Sequence, residues 1–227
     1  KLTHYGWHAK RGKAAIDELD ILPKFRGQAS HDEWAPYLHY DNCQHSLCNA
    51  HRLRELTFIE EQYQQSWPRA MKELLLTIKG KVDAAKAMGE TALDAAIRRD
   101  FEEQYQKILD DGFAVNPRIE RPPGNNWAIK QTKPRNLLER LSLHKPAILA
   151  FMHDFRAPFD NSQAERDIRM VKVQQKISGC FRSEHGATAF CRIRSYLSTL
   201  RKQGQPMLAA IERVFTGDPF QPALVAE

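Results

Sequence analysis

The sequence predicts an α/β core interrupted by an all-helical block and closed by further helices. Three observations predict it. Short segments of strand character fall within the first fifty residues, strongly helical spacing fills residues 54–111, and helical patterns run from about residue 135 almost to the end. The chain therefore divides into an N-terminal part of the core (1–53), a helical insertion (54–157), C-terminal core helices (158–216) and a loose tail (217–227).

Each element follows from local pattern. LTHYGWHA alternates apolar and polar residues and reads as a strand. AAIDELDIL places Ala15, Ile16, Leu19 and Leu22 at helical intervals, and Pro23 stops it. RGQASHD fits a short strand delivering Asp32 to its C-terminal edge, EWAPYLHY a helical turn or two, and HSLCNA a second strand. A long helical pattern begins in HRLRELTFIEEQY. KELLLTIKGKVDAAKAMG and ETALDAAIRRDFEEQYQKILDDG then form a helical hairpin broken at Gly89. VNPRIERPPGNNWAIKQTKP is a Pro-, Gly- and Asn-rich loop, and RNLLERLSLHKPAILAFMHDF is helical again. Asp160, Asn161 and Ser162 are candidate N-caps for the helix carrying ERDIRMVKVQQKIS. TAFCRIRSYLSTLRKQG closes at Gly204, and QPMLAAIERVFTG is one more short helix.

The chain has 227 residues, 42% of them hydrophobic and 27% charged, which is enough apolar material for a real core. No apolar run approaches the roughly eighteen residues of a membrane span. KLTHYGWHAKRG lacks the apolar centre of a signal peptide, so a cytoplasmic protein is expected. The chain opens without Met in what reads as mid-strand, which suggests a fragment. Four cysteines in a long, lysine-rich chain do not make a secreted disulfide framework.

The net charge is +6, and its placement is more informative than its size. Between Asn161 and Gly204 stand nine Lys or Arg against three acids, an excess equal to that of the whole chain. Concentrated positive charge is the footprint of a polyanion partner, although a solvated basic face has the same composition.

Two acids stand out. On a helix from Ser162, Ala164, Ile168 and Val171 share one face, while Glu165, Arg169, Lys172 and Lys176 form the stripe beside it. In the plain reading Glu165 and Arg169 form a surface ion pair of roughly 0.3–0.5 kcal/mol. In the functional reading the carboxylate holds a metal and the cations track a phosphate backbone. Asp32, at the end of a strand, occupies the usual place of functional residues in an open α/β sheet, or else caps EWAPY. Magnesium takes one or two carboxylates plus waters and phosphates, and two such ions can flank an in-line displacement at phosphorus.

The segments SHDEWAPYLHYDNCQHSLCNAHRLREL and DNSQAERDIRMVKVQQKISGCFRSEHGATAFCRIRSYLSTLRKQG together resemble the transposases of insertion-sequence family 66. With the helical block between them, the resemblance covers nearly the whole chain. It implies a ribonuclease-H-like core, here truncated at its N-terminal strand or strands, with an Asp-Asp-Glu triad holding two Mg²⁺ or Mn²⁺ ions. Asp32 falls on the second aspartate and Glu165 on the glutamate. The family's first aspartate lies in an Asp-Glu-Thr strand motif that this sequence does not contain. The isolated chain is therefore expected to be inactive or nearly so.

The implied partner is DNA, at transposon ends and target, contacted by Arg166, Arg169, Lys172, Lys176 and Arg182. A homo-oligomer on DNA is expected by analogy. The implied reaction is strand cleavage followed by strand transfer. The rival readings are a non-catalytic DNA-binding fragment and a ribonuclease-H-like nuclease.

Cys48-Asn-Ala-His51, with Cys43 and His45 nearby, has the spacing of half a zinc site, but structural zinc needs four ligands and no second pair follows. A packing role is the alternative. His185 reads as an incidental loop residue, Trp34 and Tyr37 as packing for the turn after Asp32, and Trp127 as an exposed loop aromatic.

Overall fold

The computed structural model describes residues 1–122, 124, 127 and 129–223. It is mostly helical, with a small parallel sheet of two strands among the described residues. The chain divides into two compact units, one of residues 24–161 and one of residues 1–23 with 162–227.

In the unit 24–161, β1 (Gln28–His31) and β2 (Gln44–Leu47) pair in parallel with Gln28 opposite Gln44 and His31 opposite Leu47. The ladder continues one bond further, from the Cys48 N–H to the His31 carbonyl at 2.9 Å. A 3₁₀ turn at Ala35–His39 connects the strands. Helix α2 (Asn49–Tyr63) leaves β2 directly and packs on α3 (Trp67–Ala87), which packs on α4 (Ala95–Val115). Helix α3 ends at Ala87, and Gly89 takes a left-handed φ of 82° at the expected break. Asp94 caps α4 by accepting the Ala96 N–H at 2.7 Å.

The continuous helical pattern after residue 134 forms three pieces: α5 (Lys133–Leu143), α6 (Lys145–Ile148) and α7 (Ala150–His153). Pro146 lacks the N–H that would continue α5, so a new turn starts there. One core joins these elements, with Leu56, Met71, Leu75, Ile78, Tyr105, Leu109, Leu138 and Leu141 fully buried. Gly112 brings α4 close in, since a Cβ there would meet Leu138 at 2.6 Å and Trp67 at 3.2 Å.

The second unit contains α1 (Lys13–Leu19), α8 (Ser162–Ser178), α9 (Glu184–Lys202) and α10 (Met207–Phe215). Helix α8 starts where the cap signals place it, and Ser183 caps α9 by accepting the Gly186 N–H. Residues 1–8 do not form the expected strand. The Thr3 N–H donates to Thr199 Oγ1 and the Tyr5 N–H to Ser195 Oγ, both at 2.9 Å. Two alternate amides are thus satisfied by hydroxyls one turn apart on α9, so this extended segment lies on a helix, with no partner strand among the described residues. The Ala164–Ile168–Val171 stripe lies on α8 without being enclosed. No residue of α8 is buried, and Ile168 is 45% exposed.

Candidate active site and nucleic-acid interface

Strand β1 delivers two adjacent acids, which the fold sends to opposite fates. Asp32, the first residue beyond the strand, is exposed. Its Oδ1 accepts the Trp34 N–H at 3.1 Å, just ahead of a 3₁₀ turn that has no side-chain cap, and it makes no ion pair among the described residues. Glu33 turns inward at a left-handed φ of 70°, costly for a residue with a Cβ. Its side chain is only 8% exposed and is held by Arg52, by Arg140 Nη1 at 3.2 Å and by His144 Nε2 at 3.3 Å. Glu55 completes a ring, accepting from Arg52 Nη1 and Arg140 Nη2, each at 2.6 Å. Burial pulls the Arg140 guanidinium down, but Glu55 and Glu33 more than offset this and raise it above its ordinary value. This ring ties the end of β1 to α2 and α5. Beside it opens a pocket of about 620 Å³ whose lining includes Asp32, Trp34, His51 and Arg54.

His31, on the other side of Asp32, is fixed by a chain of hydrogen bonds. Its Nδ1 accepts the Glu33 N–H at 3.1 Å, so its proton sits on Nε2 and is donated to His45 Nδ1 at 2.9 Å. His45 Nε2 then donates to the Tyr40 carbonyl at 3.1 Å. Each ring donates once and accepts once in this arrangement. Burial first, and the facing His45 second, push His31 down to about 4. Tyr37 lies 5.0 Å from His31 and 5.4 Å from Trp34, centroid to centroid, so the two aromatics pack the turn after Asp32 as expected.

Cys48 is buried, and its Sγ accepts the Asn161 N–H at 3.2 Å. A His51 ring nitrogen lies within 4.8 Å of that sulfur, but among the described residues no other cysteine or histidine joins the two. Cys43 and His45 are engaged with the Tyr40 carbonyl instead.

In the other unit, Glu165 sits exposed in the first turn of α8. The Glu165–Arg169 ion pair that helix spacing allows is not formed, since Arg169 makes no ion pair among the described residues. Lys172, Lys176, Arg182 and His185 are exposed, and Trp127 is 82% exposed. Asp167 is held by several donors. It takes Lys202 Nζ at 2.5 Å and Gln163 Nε2 at 3.1 Å, while its carbonyl takes the Tyr5 hydroxyl at 2.5 Å. Burial, then the Asp167 charge, raise the Tyr5 phenol.

Sequence reasoning did not single out the cations of α9. Arg194, Arg201 and Lys202 line a groove against Arg166 and Arg169 of α8. The signal was present in the i, i+3, i+4, i+7 spacing of Arg194, Leu197, Ser198 and Arg201.

In one unit an exposed strand-end carboxylate borders a pocket of mixed charge, and in the other a helix carries Glu165 and Asp167 among four cations. The model of the transposase IS66 family matches residues 1–189 of the 227. The chain belongs to this family of insertion-sequence transposases, a DDE family. No curated protein and no solved structure matches it. No helix among the described residues is long and apolar enough to cross a membrane.

Proposed function

We propose that this chain contributes the catalytic domain of a DNA transposase, with a ribonuclease-H-like core, acting by metal-dependent cleavage and strand transfer at transposon ends. Asp32 and Glu165 are the carboxylates that hold Mg²⁺ or Mn²⁺. When bound, the two ions activate the attacking oxygen and stabilise the leaving one. Arg166, Arg169, Lys172, Lys176 and Arg182 contact DNA phosphates, and copies of the chain pair on DNA. Cys48 and His51 serve packing at the foot of α2 rather than zinc.

The observation that carries this reading is the division of labour between Asp32 and Glu33. Three cationic or cation-capable side chains gather on Glu33, while its neighbour points outward with no ion pair among the described residues. A carboxylate unclaimed by protein cations, on a backbone clamped from both sides, suits a hard oxygen-seeking ion. The clamp also holds Asp32 still while it binds metal and substrate.

Mn²⁺ binding to the full chain, followed by electron paramagnetic resonance, tests the assignment. Asp32→Asn is expected to weaken binding at least tenfold and Glu165→Gln likewise, with unfolding curves unchanged. Wild-type Mn²⁺ affinity in both variants, alongside salt-sensitive DNA binding indifferent to metal, would establish a non-catalytic DNA binder instead. Cleavage of generic duplexes lacking terminal repeats would favour a ribonuclease-H-like nuclease.

A further inference from the structure

We propose that the groove between α8 and α9 is a seat for a run of nucleic-acid backbone phosphates, gripped by Arg169, Arg194 and Arg201. The proposal rests on the reading that this chain binds DNA, and it adds a second helix to the cations expected from sequence.

The geometry is that of two facing helical stripes. Gln163, Arg166, Asp167 and Met170 of α8 recur at i, i+3, i+4 and i+7, and Arg194, Leu197, Ser198 and Arg201 of α9 do the same. The groove they line has a volume of about 510 Å³. At about 30 Å³ per water it admits far more than a few solvent molecules. Five cations line it against one acid, and that acid is already committed. Asp167 is taken by Lys202 and Gln163, with Ser198 Oγ a further 3.5 Å contact, and Arg166 Nη2 donates to Gln163 Oε1 at 3.0 Å. The side chains of Arg169, Arg194 and Arg201 are left with no hydrogen bond or ion pair among the described residues.

Arg194 is the most telling of the three. It is half-buried, and its Nε is shut away from solvent with no acceptor. The guanidinium lines the groove and has no acceptor among the described residues, so an anion seated there is the partner open to its outer N–H groups. Arg194 and Arg201 lie seven residues apart on one helix, a rise of about 10 Å at 1.5 Å per residue. That length suits successive charges along a strand better than one small anion. Guanidinium forks match phosphate oxygens two at a time, and a nucleic-acid backbone presents such oxygens at every step. Contacts of this kind are blind to sequence.

The test uses the full chain and two labelled duplexes of unrelated sequence, titrated between 50 and 300 mM KCl. In Arg194→Gln/Arg201→Gln the slope of log K against log salt should flatten by about 2, at roughly 0.9 per lost phosphate contact. The loss of affinity should be equal for both duplexes. Arg194→Lys/Arg201→Lys should keep the slope and bind several-fold more weakly, a result that misfolding would not give. A wild-type slope in the Gln variant overturns the proposal, provided Lys172→Gln/Lys176→Gln flattens it, because DNA binding itself then stands. A Gln variant that keeps DNA binding but loses polyglutamate overturns it in favour of an acidic peptide. If the wild-type chain shows no salt-dependent DNA binding, the underlying reading fails and takes this one with it.

Discussion

Replacing Arg52 by Met should destabilise the unit 24–161 by about 3 kcal/mol, at the lower end of the roughly 3–5 kcal/mol expected when one partner of a buried ion pair is removed. Methionine keeps most of the aliphatic stem, so the loss is of the guanidinium. Arg52 is 3% exposed and touches both Glu33 and Glu55, so its removal strips the buried Glu33 of its most enclosed partner. Glu33 keeps Arg140 and His144, the latter a cation only when protonated, which is why the lower end applies. Glu33→Gln in the Arg52→Met background should recover about half the loss, because it removes the uncompensated charge. Urea unfolding followed by tryptophan fluorescence reads the effect, since Trp67 lies in this unit's core. Additive single changes, or a loss below about 1 kcal/mol for Arg52→Met, would show the ring to be equivalent to a surface pair. The ring would then not be what holds Glu33 in its left-handed backbone.

Three further outcomes follow from the same packing. His31 has a folded-state value of about 4, below its ordinary 6.5, so its contribution is complete above pH 6.5 and is lost as pH falls towards 4. Between pH 7.5 and pH 5 this loss is about 2 kcal/mol. The pH-dependence of unfolding should show that drop in the wild type and not in His31→Gln, and an NMR titration of His31 near 6.5 would contradict it. Tyr105, fully buried, donates to the Leu141 carbonyl at 3.0 Å, so Tyr105→Phe should cost about 1 kcal/mol in chemical denaturation. Gly112→Val should cost about 1–3 kcal/mol by overpacking against Leu138 and Trp67, read as a lowered thermal midpoint. An unchanged midpoint would mean that α4 can shift outward freely.

Most of the order of elements was determined by sequence alone, because each depends on neighbours a few residues away. The Gln28–His31 and Gln44–Leu47 strands, the break at Gly89, the start of α8 at Ser162 and the close of α9 before Gly204 all rest on local periodicity, caps or left-handed glycines. The family was legible for a similar reason, since its motifs are contiguous runs. What tertiary structure decided lies in contacts between residues far apart in the chain. Period-two alternation at Thr3 and Tyr5 specifies an extended chain but not its partner, which is a helix nearly two hundred residues later. The apolar stripe of α8 specifies a face without specifying what covers it. Asp32 and Glu33 are indistinguishable as neighbouring acids in sequence. They separate only because Arg52 and Arg140, on two later helices, draw one carboxylate inward and leave the other at the strand end. Local pattern thus placed the acids and the cations on their elements. Burial and charge pairing, which are properties of the folded unit, decided which of them are committed to the structure and which can meet a ligand.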